Sequence, residues 1–313
     1  MSRAGFVAII GAPNAGKSTL VNALVGEKVS IVTHKVQTTR FQIRAIAMWE
    51  EAQLVLVDTP GIFKPKETDR LSRAMVHAAW SGVDDAEAIV HVVDAPAMWR
   101  HLNEHSKGQD RLAAEDTERV MAGLSSRKSD HIYLALNKID ALERDKLLSL
   151  ISYFQQKDIY KNIFLISAKN GDGIKDLGDA LATAVPEGPY LYPPDQVADI
   201  PQRLMAAEMT REVLFLRLHN ELPYNLNVQT ESWSRKADGS VRIEQVVFVT
   251  RKSHKPIVLG RGGQTIKTIG SHARREMEDW LGVRVHLFLF VKVRENWTQD
   301  RSHYSETGLE YDA

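Results

Sequence analysis

The first 185 residues alternate between short apolar runs and longer segments in which apolar positions recur every three or four residues. The short runs predict buried strands, and the periodic segments predict helices with one face on a core. The predicted strands are 6–10, 43–49, 53–58, 87–94, 131–136 and 162–166, and the predicted helices are 18–26, 69–80, 110–124, 142–157 and 173–185. This alternation is typical of an α/β domain with a mostly parallel sheet and helices on both faces.

Two stretches of this region depart from simple alternation. The runs 43–49 and 53–58 are separated by Glu50 and Glu51, so we expect a hairpin at the edge of the sheet. Residues 95–109 are long and polar, and we expect them to form an inserted loop or an extension of a neighbouring helix.

The pattern changes after residue 185. Residues 186–200 carry several prolines and are interpreted as a stiff linker. Residues 201–294 predict the order helix, strand, strand, helix, helix, strand, which is an α+β layout. Residues 295–313 form a polar tail without periodicity, which we expect to dock loosely or fray. The sequence therefore predicts two domains, 1–185 and 201–294.

Composition sets limits on the class of protein. A length of 313 residues suits two domains, and a hydrophobic fraction of 43% suffices for ordinary cores. The absence of cysteine excludes disulfides and thiolate metal sites and favours a cytoplasmic location. The chain runs directly into its first strand, so no secretory signal is expected, and no apolar stretch reaches the ~20 residues that cross a bilayer. The formal net charge is +0, so a basic surface has to come from local segregation of charge.

The segment Gly11–Ser18 has the spacing G-x-x-x-x-G-K-S between a predicted strand and a predicted helix. Its glycines permit backbone angles that let successive N–H groups surround a phosphate. Lys17 supplies a charge for the β- and γ-phosphates, and Ser18 supplies a hydroxyl for Mg²⁺. The alternative is a chance glycine-rich turn, which the strand and helix on either side argue against. The predicted triphosphate site comprises Gly11, Ala12, Pro13, Asn14, Ala15, Gly16, Lys17, Ser18 and Thr19.

Three further motifs, each at the end of a predicted strand, favour GTP over other nucleotides. Asp58–Gly61 offers a carboxylate to Mg²⁺ through water and the Gly61 amide to the γ-phosphate. Asn137–Asp140 offers a carboxylate that accepts from N1–H and the 2-amino group of guanine, which adenine cannot match. Ser167–Lys169 offers a backbone amide to guanine O6. A lone N-K-x-D is usually a surface loop, but these motifs share the strand ends where open α/β sheets bind ligands.

The residues expected to contact the nucleotide in these three motifs are Asp58, Thr59, Pro60, Gly61, Ile62, Asn137, Lys138, Ile139, Asp140, Ser167, Ala168 and Lys169.

Asn14–Ser18 and Gln37–Arg40 resemble the TRAFAC translation-factor-like GTPases, and more closely the branch that contains Era and TrmE. The resemblance implies that Thr38 or Thr39 closes on Mg²⁺ when GTP is bound, with Thr39 favoured. It implies two switch segments that the γ-phosphate orders. It also implies that Asn14 helps to bind a K⁺ ion in place of an arginine finger. A turn residue chosen for local hydrogen bonding is the alternative for Asn14.

Ile62 stands where Ras has the glutamine that orients the attacking water. An apolar side chain cannot orient water, and no arginine within the motifs is an obvious finger. We therefore predict slow intrinsic hydrolysis. The candidate catalytic residues are Lys17, Asn14, Thr39 and Gly61, and the candidate Mg²⁺ ligands are Ser18, Thr39 and Asp58.

Residues 245–275 contain no acidic residue, so the neutral chain carries a basic face. Gly260–Gly263 has the G-x-x-G form between two predicted helices, and in KH domains such a loop lets a nucleic-acid backbone come close. The order of elements resembles the type II KH arrangement. A helix–turn–helix and a plain solvated face are the alternatives. The candidate RNA-binding residues are Lys255, Ile257, Gly260, Arg261, Gly262, Gly263, Lys267, Arg274 and Arg275.

An Era-like GTPase followed by a KH domain resembles the Era family over nearly the whole chain, including Glu221–Tyr224 and Ile266–Gly270. The resemblance implies GTP or GDP with Mg²⁺, and K⁺ as a further cation. It also implies a cytoplasmic monomer that binds the 3′ end of small-subunit (16S) rRNA, assists 30S maturation and associates peripherally with the inner membrane. The alternatives are a KH-type RNA chaperone with structural nucleotide and a membrane-surface regulatory GTPase whose basic face meets anionic lipid.

Overall fold

The structure of the chain is a computed structural model, which describes residues 1–127, 130–219 and 222–313, without the side chains of residues 302 and 303. The described residues divide into two compact units. One unit comprises Met1–Asp199 with Tyr304–Ala313, and the other comprises Ile200–His303. Each unit has its own hydrophobic core. Within the described ranges, no helix is long and apolar enough to cross a membrane.

The first unit is built on a seven-stranded sheet. Its strands are β1 (Arg3–Ile10), β2 (Ile43–Trp49), β3 (Ala52–Asp58), β4 (Ala88–Asp94), β5 (Ile132–Asn137), β6 (Asn162–Leu165) and β7 (Ala198–Asp199). They lie in the order β6-β5-β4-β1-β3-β2-β7. The pairings among β1, β3, β4, β5 and β6 are parallel, whereas β2 is antiparallel to both of its neighbours.

Helices cover both faces of this sheet. They are α1 (Lys17–Val25), α2 (Arg70–Asp84), α3 (Ala95–Leu102), α4 (Gly108–Ser125), α5 (Arg144–Gln155) and α6 (Ile174–Ala184). Successive residues of β1 point to opposite faces, so Val7 and Ile9 pack with α1 and α6, while Ala8 and Ile10 pack with α2 and α4. The central strands β3, β4 and β5 are mainly apolar because almost all of their residues are buried. The predicted mostly parallel sheet with helices on both faces is confirmed.

The segment 95–109 differs from its sequence expectation. It contains a separate helix, α3, instead of an inserted loop or a helix extension. The Asp94 side chain accepts a hydrogen bond from the Ala97 N–H and caps the helix, and Pro96 occupies its first turn. Arg100 then pairs with Asp110 at 2.6 Å and links α3 to α4. The polar character of the segment therefore reflects the capping and pairing of α3 together with a short loop, residues 103–107, before α4.

The hairpin pattern predicts that β2 lies at the edge of the sheet. This prediction is wrong, because β7 pairs with β2 in antiparallel orientation. The chain just before β7 is held by Gln53, which is fully buried. The Gln53 amide oxygen accepts from the N–H of Leu191 at 2.8 Å and of Tyr192 at 2.9 Å, and its amide nitrogen donates to the Tyr192 carbonyl at 2.8 Å. The Gln53 amide thus makes the hydrogen bonds that a paired strand would otherwise make with the backbone of Leu191 and Tyr192.

The second unit contains α7 (Gln202–Arg217), β8 (Leu226–Arg235), β9 (Val241–Val249), α8 (His254–Leu259), α9 (Gln264–Leu281) and β10 (Val285–Val293). The central strand β9 is antiparallel to β8 and parallel to β10. Apolar residues of α7 and α9 pack on one face of this three-stranded sheet. The predicted α+β order is confirmed, and the G-x-x-G segment lies between α8 and α9.

The C-terminal tail makes more definite contacts than its sequence predicts. It includes a helix, α10 (Arg301–Thr307), and both Trp297 and Tyr304 are 1% exposed. The guanidinium of Arg70 lies 4.1 Å from the centre of the Tyr311 ring and 3.5 Å from the carboxylate of Asp312. Single buried aromatic residues at irregular spacing leave no periodic signal, which explains why the sequence pattern missed them.

A buried histidine gives this fold a defined response to acid. His91, in β4, is fully buried, and its Nδ1 lies 2.7 Å from the Tyr160 hydroxyl. Burial, with a smaller effect of the positive charge of Lys17, lowers the pKa of His91 to about 3. Between this value and the unfolded value of about 6.5, the unfolded chain binds a proton that the folded chain does not. The free energy of unfolding should therefore fall by about 3 kcal/mol from this residue alone between pH 7 and pH 4.

Replacing His91 by phenylalanine should remove that part of the pH dependence, because the ring volume remains and the titrating group is lost. Urea unfolding at pH 7 and pH 4 measures the difference. The matched control is His105→Phe at an exposed position, which should keep the wild-type pH dependence. An unchanged pH dependence in the His91 variant would contradict the assignment.

Candidate functional site

The loop after β1 passes so close to neighbouring groups that its two outer glycines cannot carry side chains. A Cβ on Gly11 would lie 2.3 Å from the Val92 carbonyl oxygen, and a Cβ on Gly16 would lie 2.2 Å from Nδ2 of Asn137. Both glycines have positive φ, 151° and 100°. Gly16 is thus required by the contact between the segment Gly11–Ser18, which we call the P-loop, and the Asn137–Asp140 motif. This contact adds a steric reason to the predicted role of Gly16.

Lys17 begins α1 and is 6% exposed. Its Nζ donates to the carbonyl oxygens of Gly11 at 3.2 Å and Ala12 at 2.9 Å. Burial lowers the pKa of Lys17 to about 8, although the nearby charge of Asp58 acts in the opposite direction. The ammonium therefore remains largely protonated at neutral pH and lies in the loop as a positive charge.

Three residues predicted to hold Mg²⁺ lie together. The hydroxyls of Ser18 and Thr39 are 2.9 Å apart, and Asp58 is fully buried with no hydrogen-bond partner for either oxygen in the described part of the chain. Burial raises the pKa of Asp58, against the opposing effects of these hydroxyls and of Lys17. A buried, unpaired carboxylate beside two hydroxyls is a donor set that suits Mg²⁺.

The structure separates the two threonines between which the sequence left a choice. Thr39 is 8% exposed and lies beside Ser18, whereas the Thr38 hydroxyl donates to the Lys35 carbonyl at 2.7 Å and lies 2.6 Å from the Thr33 hydroxyl. Thr38 therefore stabilises the loop itself, and Thr39 is the threonine at the carboxylate.

Ser30 lies beside the group formed by Ser18, Thr39 and Asp58, and sequence reasoning missed it. Its side chain is fully buried, and its hydroxyl acts to lower the pKa of the Asp58 carboxyl. Its backbone is held by Asn22, whose amide oxygen accepts from the Ser30 N–H at 2.9 Å. A single serine between α1 and β2 belongs to no recognisable spacing, so no sequence signal pointed to it.

The segment after Asp58 lies directly against the P-loop. A Cβ on Gly61 would lie 2.8 Å from Cα of Pro13, and the Ile62 N–H donates to the Gly11 carbonyl at 3.0 Å. The Thr59 hydroxyl donates to the Ile9 carbonyl at 2.8 Å. Ile62 is fully buried in the core beneath α2. Its side chain therefore cannot orient an attacking water, as its apolar character predicts.

The predicted guanine motif is attached to the P-loop at two consecutive carbonyls. Asn137 donates to the Ala15 carbonyl at 2.8 Å and accepts from the Ala168 N–H at 3.0 Å, and Lys138 Nζ donates to the Asn14 carbonyl at 2.7 Å. These bonds bring the P-loop, Asn137–Asp140 and Ser167–Lys169 into one group.

The remaining members of these motifs are placed as follows. The Ser167 hydroxyl donates to the Asp140 carboxylate at 2.6 Å, which fixes its orientation. Asp140 and Lys169 are exposed, Ile139 begins a short 3₁₀ turn, and Thr19 lies in the first turn of α1. The segments Gly11–Ser18, Asp58–Ile62, Asn137–Asp140 and Ser167–Lys169 thus lie at the carboxyl ends of β1, β3, β5 and β6, whereas Thr38 and Thr39 lie in the loop before β2.

The G-x-x-G segment has a backbone that only glycine adopts easily. Gly260, Gly262 and Gly263 have φ values of 75°, 58° and 79°. A Cβ on Gly260 would lie 2.1 Å from Oγ1 of Thr265, whereas a Cβ on Gly262 or Gly263 would meet nothing within 4 Å. The first glycine is therefore needed to pack the loop, and the last two leave an open surface.

The predicted RNA-binding side chains around this loop are not equivalent. Arg274 forms an ion pair with Glu278 on the same helix, so part of its charge is already neutralised. The exposed members are Lys255, Ile257, Arg261, Lys267 and Arg275, and the Ile257 side chain is 57% exposed despite being apolar.

Family models match both units. The model described as 50S ribosome-binding GTPase matches residues 6–138, and the model described as KH domain matches residues 221–298. The segment Glu221–Tyr224 carried part of the sequence resemblance. Glu221 lies outside the described residues, and Leu222–Asn225 forms a 3₁₀ turn.

Curated relatives match over almost the full chain. GTPase Era of Maricaulis maris is 53% identical over 310 residues, covering 99% of this chain and 98% of that protein. GTPase Era of Caulobacter vibrioides is 51% identical over 311 residues, with the same coverage.

Solved structures agree with these relatives. A crystal structure of Era in complex with MgGDPNP and nucleotides 1506–1542 of 16S ribosomal RNA has a TM-score of 0.89 and 33% identity, covering 98% of this chain and 99% of that one. A single-residue variant of Aquifex aeolicus Era bound to GDP·AlF₄⁻ has a TM-score of 0.86 at the same identity and coverage. By sequence identity, domain content and fold, this chain belongs to the Era family of GTPases.

Proposed function

We propose that this chain is a GTP-hydrolysing switch whose KH domain binds the 3′ end of small-subunit rRNA and assists maturation of the 30S subunit. The observation that carries the nucleotide part is the attachment of the Asn137–Asp140 motif to the P-loop carbonyls of Asn14 and Ala15. This attachment supports one site that reads the guanine base and holds the phosphates. The RNA part is supported by the Era structure that contains nucleotides 1506–1542 of 16S rRNA.

In this proposal Ser18, Thr39 and Asp58 hold Mg²⁺, whose positive charge offsets the charge that develops on the phosphates. Lys17 contributes a second, fixed positive charge from the P-loop itself. The open Gly262–Gly263 surface admits a single-stranded backbone, with exposed lysine and arginine side chains on either side of it. We further propose that the chain is a cytoplasmic monomer that associates peripherally with the inner membrane.

Lys17→Ala should lower multiple-turnover GTP hydrolysis by about 100-fold, because it removes a buried charge placed to act on the transferred phosphate. Phosphate release at saturating GTP measures the effect. Lys157→Ala, at an exposed position on the first unit, is the matched control and should hydrolyse GTP at the wild-type rate. Undiminished turnover in Lys17→Ala would contradict a hydrolytic role and favour the RNA chaperone with structural nucleotide.

We also propose that Asn14 contributes an oxygen to a K⁺ site. Asn14 is exposed in the P-loop with φ 62°, a backbone region that asparagine tolerates. Hydrolysis by the wild type should be several-fold faster in KCl than in NaCl. Asn14→Gly keeps the backbone conformation and removes the side-chain oxygen, so it should lose this stimulation. Equal wild-type rates in the two salts would leave Asn14 as a turn residue only.

A further inference from the structure

We propose that Asp94 is a positioning residue for the guanine site, which holds Lys138 and, through Lys138, the P-loop at Asn14. This inference rests on the proposed binding of guanine by Asn137–Asp140. Asp94 is the last residue of β4 and lies directly beside Asn137 of β5 in the parallel register. It therefore lies at the same strand ends as the nucleotide motifs, although it belongs to none of them.

The two carboxylate oxygens of Asp94 have separate partners. Oδ1 accepts from the Ala97 N–H at 2.9 Å and caps α3, and Oδ2 accepts from Lys138 Nζ at 2.5 Å. The side chain of Asp94 is 18% exposed and that of Lys138 is 38% exposed. Because this pair is partly withdrawn from water, it is screened less than a surface ion pair.

The contact matters because Lys138 has an unfavourable backbone conformation and joins the P-loop at a second residue with positive φ. Lys138 has φ 67° and Asn14 has φ 62°, in the left-handed region that few non-glycine residues adopt. Such conformations persist only where surrounding contacts impose them. Lys138 Nζ links the two residues by donating to the Asn14 carbonyl at 2.7 Å, while the hydrogen bond to Asp94 fixes the position of the Lys138 ammonium.

The pair also extends into a longer charge network. Within the described ranges, Asp94 is the only carboxylate within ion-pair distance of Lys138. The hydrogen bonds that Arg100 donates to the Asp110 carboxylate raise the pKa of Arg100 most, and the charge of Asp94 raises it further. Arg100 in turn pairs with Asp110 of α4 at 2.6 Å. Charges of alternating sign thus connect the guanine motif to α3 and α4.

The two functions of Asp94 can be separated by the choice of substitution. Asparagine caps helices as well as aspartate does but carries no charge, so Asp94→Asn retains the cap of α3 and loses the ion pair. We expect Asp94→Asn to accelerate GDP dissociation by about tenfold, as for the loss of a hydrogen bond between charged groups. The effect should fall on KM for GTP more than on kcat, because Asp94 does not touch the reacting phosphate. Stopped-flow release of a fluorescent GDP analogue measures the dissociation rate.

Three further variants complete the experiment. Lys138→Met should accelerate release at least as much, and the double variant with Asp94→Asn should be no faster than Lys138→Met alone. Asp179→Asn, a surface carboxylate in α6 that pairs with Lys175, should release GDP at the wild-type rate. Thermal unfolding without nucleotide should give the same Tm for Asp94→Asn and the wild type.

The outcomes distinguish this inference from the proposed function. If Lys138→Met releases GDP rapidly and Asp94→Asn behaves as the wild type, the positioning role is wrong and the guanine site stands. Additive effects in the double variant would also overturn it, because Asp94 would then act independently of Lys138. If neither variant alters GDP release, the assignment of the guanine site fails together with the inference.

Discussion

Replacing Asp140 by asparagine should transfer the nucleotide preference from GDP to XDP and alter the ratio of the two affinities by about 10⁴. An aspartate accepts from both N1–H and the 2-amino group of guanine. An asparagine instead presents an amide NH₂ to that amino group, so that two donors face each other. Xanthine carries an oxygen at this position, which accepts from the new NH₂. The Ser167 hydroxyl, 2.6 Å from the Asp140 carboxylate, can donate equally to an asparagine oxygen, so the orientation should persist.

Equilibrium titration of each variant with fluorescent GDP and XDP analogues measures the two affinities. The matched control is Asp145→Asn, an exposed carboxylate in the first turn of α5, which should keep the preference for GDP. Loss of both nucleotides in Asp140→Asn would indicate a collapsed loop, which the Tm of the nucleotide-free variant would reveal. Retention of GDP preference in a folded variant would show that Asp140 does not read the base.

The nucleotide site was largely predictable because its information lies in short runs at strand ends. In the segment Gly11–Ser18, the glycines, Lys17 and Ser18 each have a chemical reason to stand at their positions. The position of Asn137–Asp140 was predictable as well, since a parallel sheet brings the carboxyl ends of its strands to one edge. The preference for Thr39 over Thr38 came from family resemblance and stays a prediction. The hydrogen bonds of the Thr38 hydroxyl within its own loop agree with it.

The residues that sequence reasoning missed are those whose partners are far away along the chain. Asp94 and Lys138 are separated by a strand and two helices, and only the register of β4 and β5 brings them together. Asp94 itself could have been found from the sequence, because it is an acidic residue at the carboxyl end of β4, where ligand-binding residues are expected. Gln53 and Ser30 offered no such signal. A buried amide or hydroxyl is recognisable only once the groups around it are known.

Gly262→Asp should weaken binding of an oligonucleotide from the 3′ end of small-subunit rRNA by at least about 100-fold, because it sets a negative charge against the phosphate backbone. Gly262 has φ 58°, and a Cβ at this position would meet no atom within 4 Å. Aspartate also tolerates the left-handed region better than most residues. The variant should therefore fold, and the loss should reflect the contact with RNA and not the loss of the domain.

The second unit contains its own matched control. Gly239, in the turn between β8 and β9, has φ 82° and equally open surroundings, so Gly239→Asp adds the same charge with similar backbone strain. It should bind the oligonucleotide within about twofold of the wild type, since a charge far from a contact has little effect at physiological salt. Equal weakening by both variants would indicate that net charge alone governs binding. In that case this surface would be a basic face without a defined RNA-binding loop. Anionic vesicles would then compete with RNA for binding to it.

The same pair of variants tests the RNA target in cells. Crosslinking followed by sequencing of the bound RNA should recover the 3′ end of small-subunit rRNA with the wild type and with Gly239→Asp, and should lose it with Gly262→Asp. The comparison separates the loop from the basic residues around it, because Lys255, Arg261 and Lys267 are unchanged in both variants. If Gly262→Asp recovered the same RNA with the same yield, the exposed glycine backbone would have no role in binding, and the neighbouring side chains would have to account for the specificity.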